Sequence, residues 1–304
     1  MGGRMDGGQA VGRSGGRWLQ LAYGLLVLGA GCGGRDRVVI GAKNFTESDL
    51  LAEIMAQQIE RRTGLPVTRK LHLGGTFVCH AAIVAGDIGM YPEYTGTAYA
   101  AVLKHPPIAD ADSVYRATQA EYRARFGLVW GRPLGFNNTF AILVRHGDAD
   151  LRGLRSISDL AKVAGRWRAG FGYEFLERAD GFQGLARTYG LAFVAPPTAL
   201  DLGLTYRALA DGKVDVIAGN STDGQIAALD LVSLADDRHY FPPYQAAPVV
   251  RADLLSRHPA IGAALDELAG RLSDAEMRRL NALADVQHRD ISEIAREWLR
   301  ETLP

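Results

Sequence analysis

Strand-like and helix-like segments alternate along most of this chain, and the alternation predicts an α/β fold with helix-covered sheets. Three observations carry that expectation. Short apolar runs such as Arg37–Ala42 (RVVIGA) and Val214–Ala218 read as buried strands. Between them, Leu50, Leu51, Ile54, Met55 and Ile59 recur at helical spacing until Gly64-Leu65-Pro66 stops the run. Finally, the 304 residues suffice for two domains once an N-terminal segment is set aside.

In chain order, the first strand ends at Lys43-Asn44-Phe45, and Thr46 with Asp49 three places on reads as a helix N-cap. Val67–Leu73 is a second strand, and Gly74-Gly75-Thr76 opens a helix that closes at Ala85-Gly86. Ser113–Phe126 is helical. Leu128–Val144 holds two strand-like runs separated by Gly135-Phe136-Asn137-Asn138-Thr139. Ser156–Ala161, Gly181–Tyr189 and Thr205–Ala210 read as helices; Trp167–Phe171, Phe193–Val194 and Leu231–Leu234 read as extended. From Arg251 the pattern is helical to the end. Ser273-Asp274-Ala275-Glu276 forms a capping box, and Ile291, Ile294 and Trp298 share one helical face.

Composition excludes several classes. Lys+Arg and Asp+Glu are both 34, so no excess charge points to nucleic acid. Hydrophobic residues make up 47% and charged residues 22%, as in an ordinary globular protein. No glycine-rich phosphate loop and no G-x-S-x-G elbow occurs. His72, His80, His105, His146, His239, His258 and His288 are scattered, and no Cys or His pair has metal spacing. Asp236-Asp237 reads as a solvated carboxylate pair, and Glu93 beside a turn proline specifies nothing by itself. The expectation is a protein that is not an enzyme and uses neither metal nor cofactor.

The N-terminus reads as targeting. Arg4, Arg13 and Arg17 precede the apolar run Trp18–Ala30, which is short for a bilayer span. It ends in Leu28-Gly29-Ala30-Gly31-Cys32, which resembles a bacterial lipoprotein cleavage site with leucine one place further from the cysteine than usual. A plain secreted protein and a retained anchor stay open beside a lipidated Cys32. The second cysteine, Cys79, lies in an apolar segment and reads as a small core residue.

The stretch most suggestive of a binding wall is Asp87–Tyr99, DIGMYPEYTGTAY. Tyr91, Tyr94 and Tyr99 are held there between Pro92 and Gly96, which mark a turn or strand end. Tyrosine offers a large flat face with few rotamers to lose. An ordinary tyrosine-rich turn packed on the core would look the same.

Six segments taken together break that tie. Ile40–Glu47 (IGAKNFTE), Met90–Ala98 (MYPEYTGTA), Gly135–Ala141 (GFNNTFA), Glu177–Phe182 (ERADGF), Thr222–Ile226 (TDGQI) and Asp236–Pro248 (DDRHYFPPYQAAP) occur in this order. They resemble the hallmark stretches of the substrate-binding proteins of ABC importers for glycine betaine, choline and related quaternary amines. The similarity runs from about residue 37 to the C-terminus.

The resemblance implies a type II periplasmic-binding fold, two α/β lobes with a ligand cleft at the hinge. Residues 1–32 would be the leader, 37–140 the first part of lobe 1, 141–246 lobe 2, and 247–304 the return to lobe 1. By family position the cage residues would be Tyr94, Phe140, Asn220 and Tyr244, because ring quadrupoles suit a cation with no hydrogen to donate. Lys43, Thr97 and Arg178 would clamp a carboxylate, and Asn138 would turn a backbone carbonyl toward the methyl groups. Family members often carry tyrosine at the positions of Phe140 and Asn220, so one cage wall should be missing at Asn220.

The implied partners are a small quaternary amine, an ABC permease and its ATPase. The implied location is the periplasm or the outer face of the cytoplasmic membrane, held by a lipid anchor, as a monomer. A carboxylate-bearing, glycine betaine-like osmolyte is the first expectation. A bulkier trimethylammonium zwitterion such as carnitine or ergothioneine, and an osmolyte-sensing module, are the alternatives.

Overall fold

The structure is a computed structural model that describes residues 38–303. The leader, its cleavage site and Cys32 lie outside the described residues. No helix among those residues is long and apolar enough to cross a membrane.

Two five-stranded sheets carry the architecture. The first has the order β2-β1-β3-β10-β4, with β1 Val38–Lys43, β2 Val67–Gly74, β3 Met90–Tyr94, β4 Leu128–Trp130 and β10 Ala246–Arg251. The second has the order β7-β6-β8-β5-β9, with β5 Phe140–Arg145, β6 Ala169–Gly172, β7 Thr198–Leu200, β8 Val216–Asn220 and β9 Leu231–Leu234. In the first, β1 runs parallel to β2 and β3, and β10 returns antiparallel between β3 and β4. In the second, β6 is parallel to β7 and β8, and β5 is antiparallel to β8 and β9. The chain therefore leaves the first sheet once, between β4 and β5, and returns once, between β9 and β10.

These two crossing segments are tied side by side. Asn137 bridges Gln245, the Asn138 N–H donates to the Tyr244 carbonyl at 3.0 Å, and the Tyr244 N–H donates to Asn137 Oδ1 at 2.6 Å. Backbone groups at a crossover have no ladder of their own, so these bonds satisfy them.

Most elements follow the apolar pattern. The helix Thr46–Thr63 buries Leu50, Leu51, Ile54, Met55 and Ile59 and ends on Gly64 at φ 70°, the left-handed conformation glycine adopts without strain. In β3, Pro92 stands opposite Pro248 of β10, a register position where neither residue is asked for an N–H.

The differences have tertiary causes. Thr46 is the first helical residue rather than the cap; Phe45 holds that position, and the Thr46 hydroxyl donates to Asp285 from the C-terminal region. The stretch after Tyr94 is no turn, because residues 95–102 continue as helical turns. Gly96 is tolerated there for a packing reason: a Cβ would lie 2.7 Å from the Pro243 carbonyl and from the Tyr244 ring. Phe193–Val194 joins no strand, although the Val194 N–H donates to the Trp167 carbonyl at 3.2 Å, and the edge strand lies at Thr198–Leu200. A helix over His146–Arg152 has no counterpart in the sequence reading. Only half of the Ser273 capping box forms; Ser273 accepts from the Glu276 N–H, while the Glu276 carboxylate turns to Arg279.

Cys79 is a buried free thiol whose pKa burial pushes up to about 12, which leaves it protonated and inert.

Candidate functional site

A cavity of about 260 Å³ lies between the two sheets. Lys43, Tyr94, Thr97, Asn138, Phe140, Arg178, Asn220 and Tyr244 all line it. Most reach it from strand ends and crossovers: Lys43 ends β1, Tyr94 ends β3, Phe140 opens β5 and Asn220 ends β8, while Thr97 lies in the helical turns after β3 and Arg178 follows the helix Tyr173–Glu177. Strand ends at the point where the chain changes sheets are where open α/β folds leave room for a ligand.

The cations were expected to await a carboxylate, but each already has one from the protein. Lys43 Nζ pairs with Glu93, and both side chains are buried. Its other contacts are the Thr76 hydroxyl at 3.2 Å and the Tyr94 ring, whose centroid is 5.0 Å away. Arg178 grips Asp180 through two bonds, Nε to Oδ1 at 2.9 Å and Nη2 to Oδ2 at 2.6 Å. Nη2 also reaches the Thr97 hydroxyl at 3.2 Å. The guanidinium lies 5.0 Å from the Phe140 ring and 6.0 Å from the Tyr244 ring, and the Tyr244 hydroxyl donates to Asp180 at 2.7 Å. The expected cage rings thus already face protein cations. Pairing is what makes two fully buried charges tolerable here.

A second group of charges is arranged differently. Glu47, buried at 1% exposure, accepts four bonds from four parts of the chain. The Tyr94 hydroxyl and the Asn138 amide reach Oε1 at 2.6 and 2.8 Å; the Thr222 hydroxyl and the Asn281 amide reach Oε2 at 2.5 and 2.9 Å. All four donors are neutral. Burial therefore outweighs the hydrogen bonds and holds the Glu47 pKa above the usual carboxylate range. Asp223 receives the Tyr206 hydroxyl and the Asn220 N–H on Oδ2, the latter at 2.9 Å. Burial, with Glu47 nearby, pushes the Asp223 pKa up to about 6.

Two residues at this end show contacts that the sequence reading did not foresee. For Asn138, the contacts the structure shows are its side-chain amide on Glu47 and its N–H on Tyr244, while its Oδ1 is buried without a hydrogen-bond partner. The corner at Asn220 is not an open gap. Tyr206, from the helix Leu202–Ala210, lines the cavity there and packs over Gly219. A Cβ at 219 would overlap the Tyr206 hydroxyl and lie 2.9 Å from Cζ, so glycine in β8 makes room for the ring.

A further contact joins helices beside the two sheets. The Thr76 N–H and hydroxyl, beside the first sheet, donate to Glu174, beside the second, the hydroxyl at 3.2 Å. The sequence reading missed Glu47, Glu174, Asp180, Tyr206 and Asp223, and it passed over Glu93. Except for Glu174 and Tyr206, these lie inside the six segments quoted above, so the segments marked the place without revealing the pairing. Among the described residues, no group of three or more His, Cys, Asp or Glu could hold a metal ion.

Comparison with known proteins agrees with this geometry. Residues 36–301 match the family described as the substrate binding domain of ABC-type glycine betaine transport systems. The carnitine transport binding protein OpuCC of Listeria monocytogenes is 34% identical, over 90% of this chain and 89% of that protein. A glycine-betaine-binding protein of Pseudomonas aeruginosa is 35% identical, over 90% of each. A crystal structure of a glycine betaine/carnitine/choline ABC transporter is 35% identical, with a TM-score of 0.72, covering 87% of this chain and 98% of that one. A matching family over nearly all of the described residues, a shared fold and a cavity at the crossover together place this chain among the substrate-binding proteins of glycine betaine-type ABC importers.

Proposed function

We propose that this protein captures a quaternary ammonium zwitterion outside the cytoplasm and delivers it to an ABC permease driven by its ATPase. The observation that supports this most is the cavity itself, which sets aromatic faces (Tyr94, Phe140, Tyr244) beside two cations (Lys43, Arg178) in one enclosed space. Rings suit a trimethylammonium group, and cations suit a carboxylate. Lys43, Thr97 and Arg178 take the carboxylate; Tyr94, Phe140, Asn138, Asn220 and Tyr244 surround the rest.

The lobes comprise residues 37–140 with 247–304, and 141–246. They hinge at the paired crossovers and close over the ligand, with Thr76–Glu174, Arg178–Thr97 and Glu47–Thr222 as closing contacts. Residues 1–32 are a leader, Cys32 carries the lipid, and the protein works as a monomer at the outer face of the membrane. Family members serve transport rather than turnover, and the same role is assigned here.

Calorimetric titration of the purified protein with glycine betaine, carnitine, choline, proline betaine and ergothioneine tests the reading. At least one carboxylate-bearing compound should bind, and more tightly than choline. Heat from none of the five would overturn it.

A further inference from the structure

The two ends of the cavity differ in what they leave available to a ligand. Around Arg178 and Lys43 the protein presents donors. Around Glu47 and Asp223 it presents acceptors whose nearby protein donors are already engaged. The Tyr94, Asn138, Thr222 and Asn281 donors are committed to Glu47, and the Tyr206 hydroxyl is committed to Asp223.

Two acceptor atoms at this end remain poorly served. Asp223 Oδ2 takes the Tyr206 hydroxyl and the Asn220 N–H, but the closest donor to Oδ1 is the Asn220 amide at 3.4 Å. Asp223 lines the cavity and is half-buried. Asn138, 7% exposed and also lining the cavity, has no partner on Oδ1. Glu47 repels Asp223, and among the described residues no salt bridge pairs Asp223 with a cation. Asn138 Oδ1, buried and unserved, costs free energy that a ligand donor would recover, and Asp223 Oδ1, with one long bond, has room for a better donor.

Building on the proposed function, we propose that Asp223, positioned by Tyr206 and Asn220, selects quaternary ammonium ligands that carry an additional O–H or N–H donor. Glycine betaine has no such donor and would leave Asp223 Oδ1 and Asn138 Oδ1 facing methyl groups. A hydroxylated or ring-N–H-bearing zwitterion reaches them. Tyr206 acts as the positioning residue: its ring fills the corner over Gly219 and its hydroxyl sets the carboxylate's orientation.

Matched ligand pairs test this directly. Carnitine and γ-butyrobetaine differ by one hydroxyl; ergothioneine and its ring-N-methylated derivative differ by one N–H. In whichever pair binds, the donor-bearing member should bind about tenfold or more tightly, the scale of one buried acceptor left unsatisfied. In Asp223→Asn that preference should collapse to about twofold.

A measurement on the wild type stands apart from any folding defect in the variant. Because the Asp223 pKa sits at about 6, the preference should grow as pH rises through that value and shrink below it. Tyr206, Asn220 and Glu47 face Asp223, Asp285 lies near Tyr206, and Arg278 reaches the nearby Ser221 carbonyl at 3.3 Å. Equal affinity within the pairs at pH 7.5, or a preference that survives in Asp223→Asn, overturns the inference while binding itself upholds the proposed function. No binding by any quaternary amine overturns both.

Discussion

The two ends of the cavity solve the problem of buried charge in opposite ways. At the Arg178 end, each cation faces its own carboxylate, Arg178 with Asp180 and Lys43 with Glu93. At the Glu47 end, the buried carboxylates are met only by neutral hydroxyls and amides. Full charge pairing makes the first end rigid and costly to disturb. Neutral solvation leaves the second end titratable, with carboxyl groups held above their usual range by burial. Under the proposed function, an end of the first kind would hold a ligand's orientation, and an end of the second kind would read its chemistry.

The largest effect expected from this contrast follows from breaking a pair. Asp180→Ala leaves Arg178 buried at 5% exposure without its bidentate partner, and should cost about 3–5 kcal/mol in urea denaturation. The Arg178→Ala/Asp180→Ala double variant should lose less than the two single variants added together. A single-variant loss below about 1 kcal/mol would erase the distinction between the two ends.

Glu47→Gln should be milder. The substitution presents an amide NH₂ to a ring of donors, so at least one of the four hydrogen bonds is lost, at about 1–3 kcal/mol. Relief of a desolvated charge offsets part of that. A loss as large as for Asp180→Ala would mean that Glu47 is held by charge after all.

The smallest effect is in pH. The folded state raises the Asp223 pKa to about 6, so between about pH 4 and 6 it binds more protons than the unfolded chain. Stability of the ligand-free protein should therefore fall as pH rises through that window. The contribution is on the order of 1–2 kcal/mol, reduced by the opening of Asp223 to the cavity. Glu47, also raised by burial, acts in the same direction. Denaturation at several pH values should show the slope in the wild type and a shallower one in Asp223→Asn; identical slopes would remove Asp223 from the titrating end.

Much of the fold was readable because its causes are local. The helix Thr46–Thr63 follows from apolar spacing and its end from Gly64; β1 and β8 follow from continuous apolar runs covered on both faces. The Thr46 cap was misread because Asp285, distant in sequence, claims its hydroxyl. Tyr206 fell inside Thr205–Ala210, read only as a helix, and nothing near it in sequence says that it leans over Gly219 into the cavity. Glu93 and Asp180 stood in plain view beside Tyr94 and Arg178, but adjacency in sequence does not tell which charges meet.

By itself, the sequence determined the kinds of element, their order and the α/β class through periodicity, and, through the family resemblance of six short segments, which rings and cations gather at the cavity. Only the tertiary structure decided how the charges are satisfied. Glu47 draws its donors from residues 47, 91, 175 and 234 positions away, and a hydrogen bond over such separations depends on where two sheets and a C-terminal helix meet in space. That meeting is set by packing and chain crossover, which no local pattern encodes.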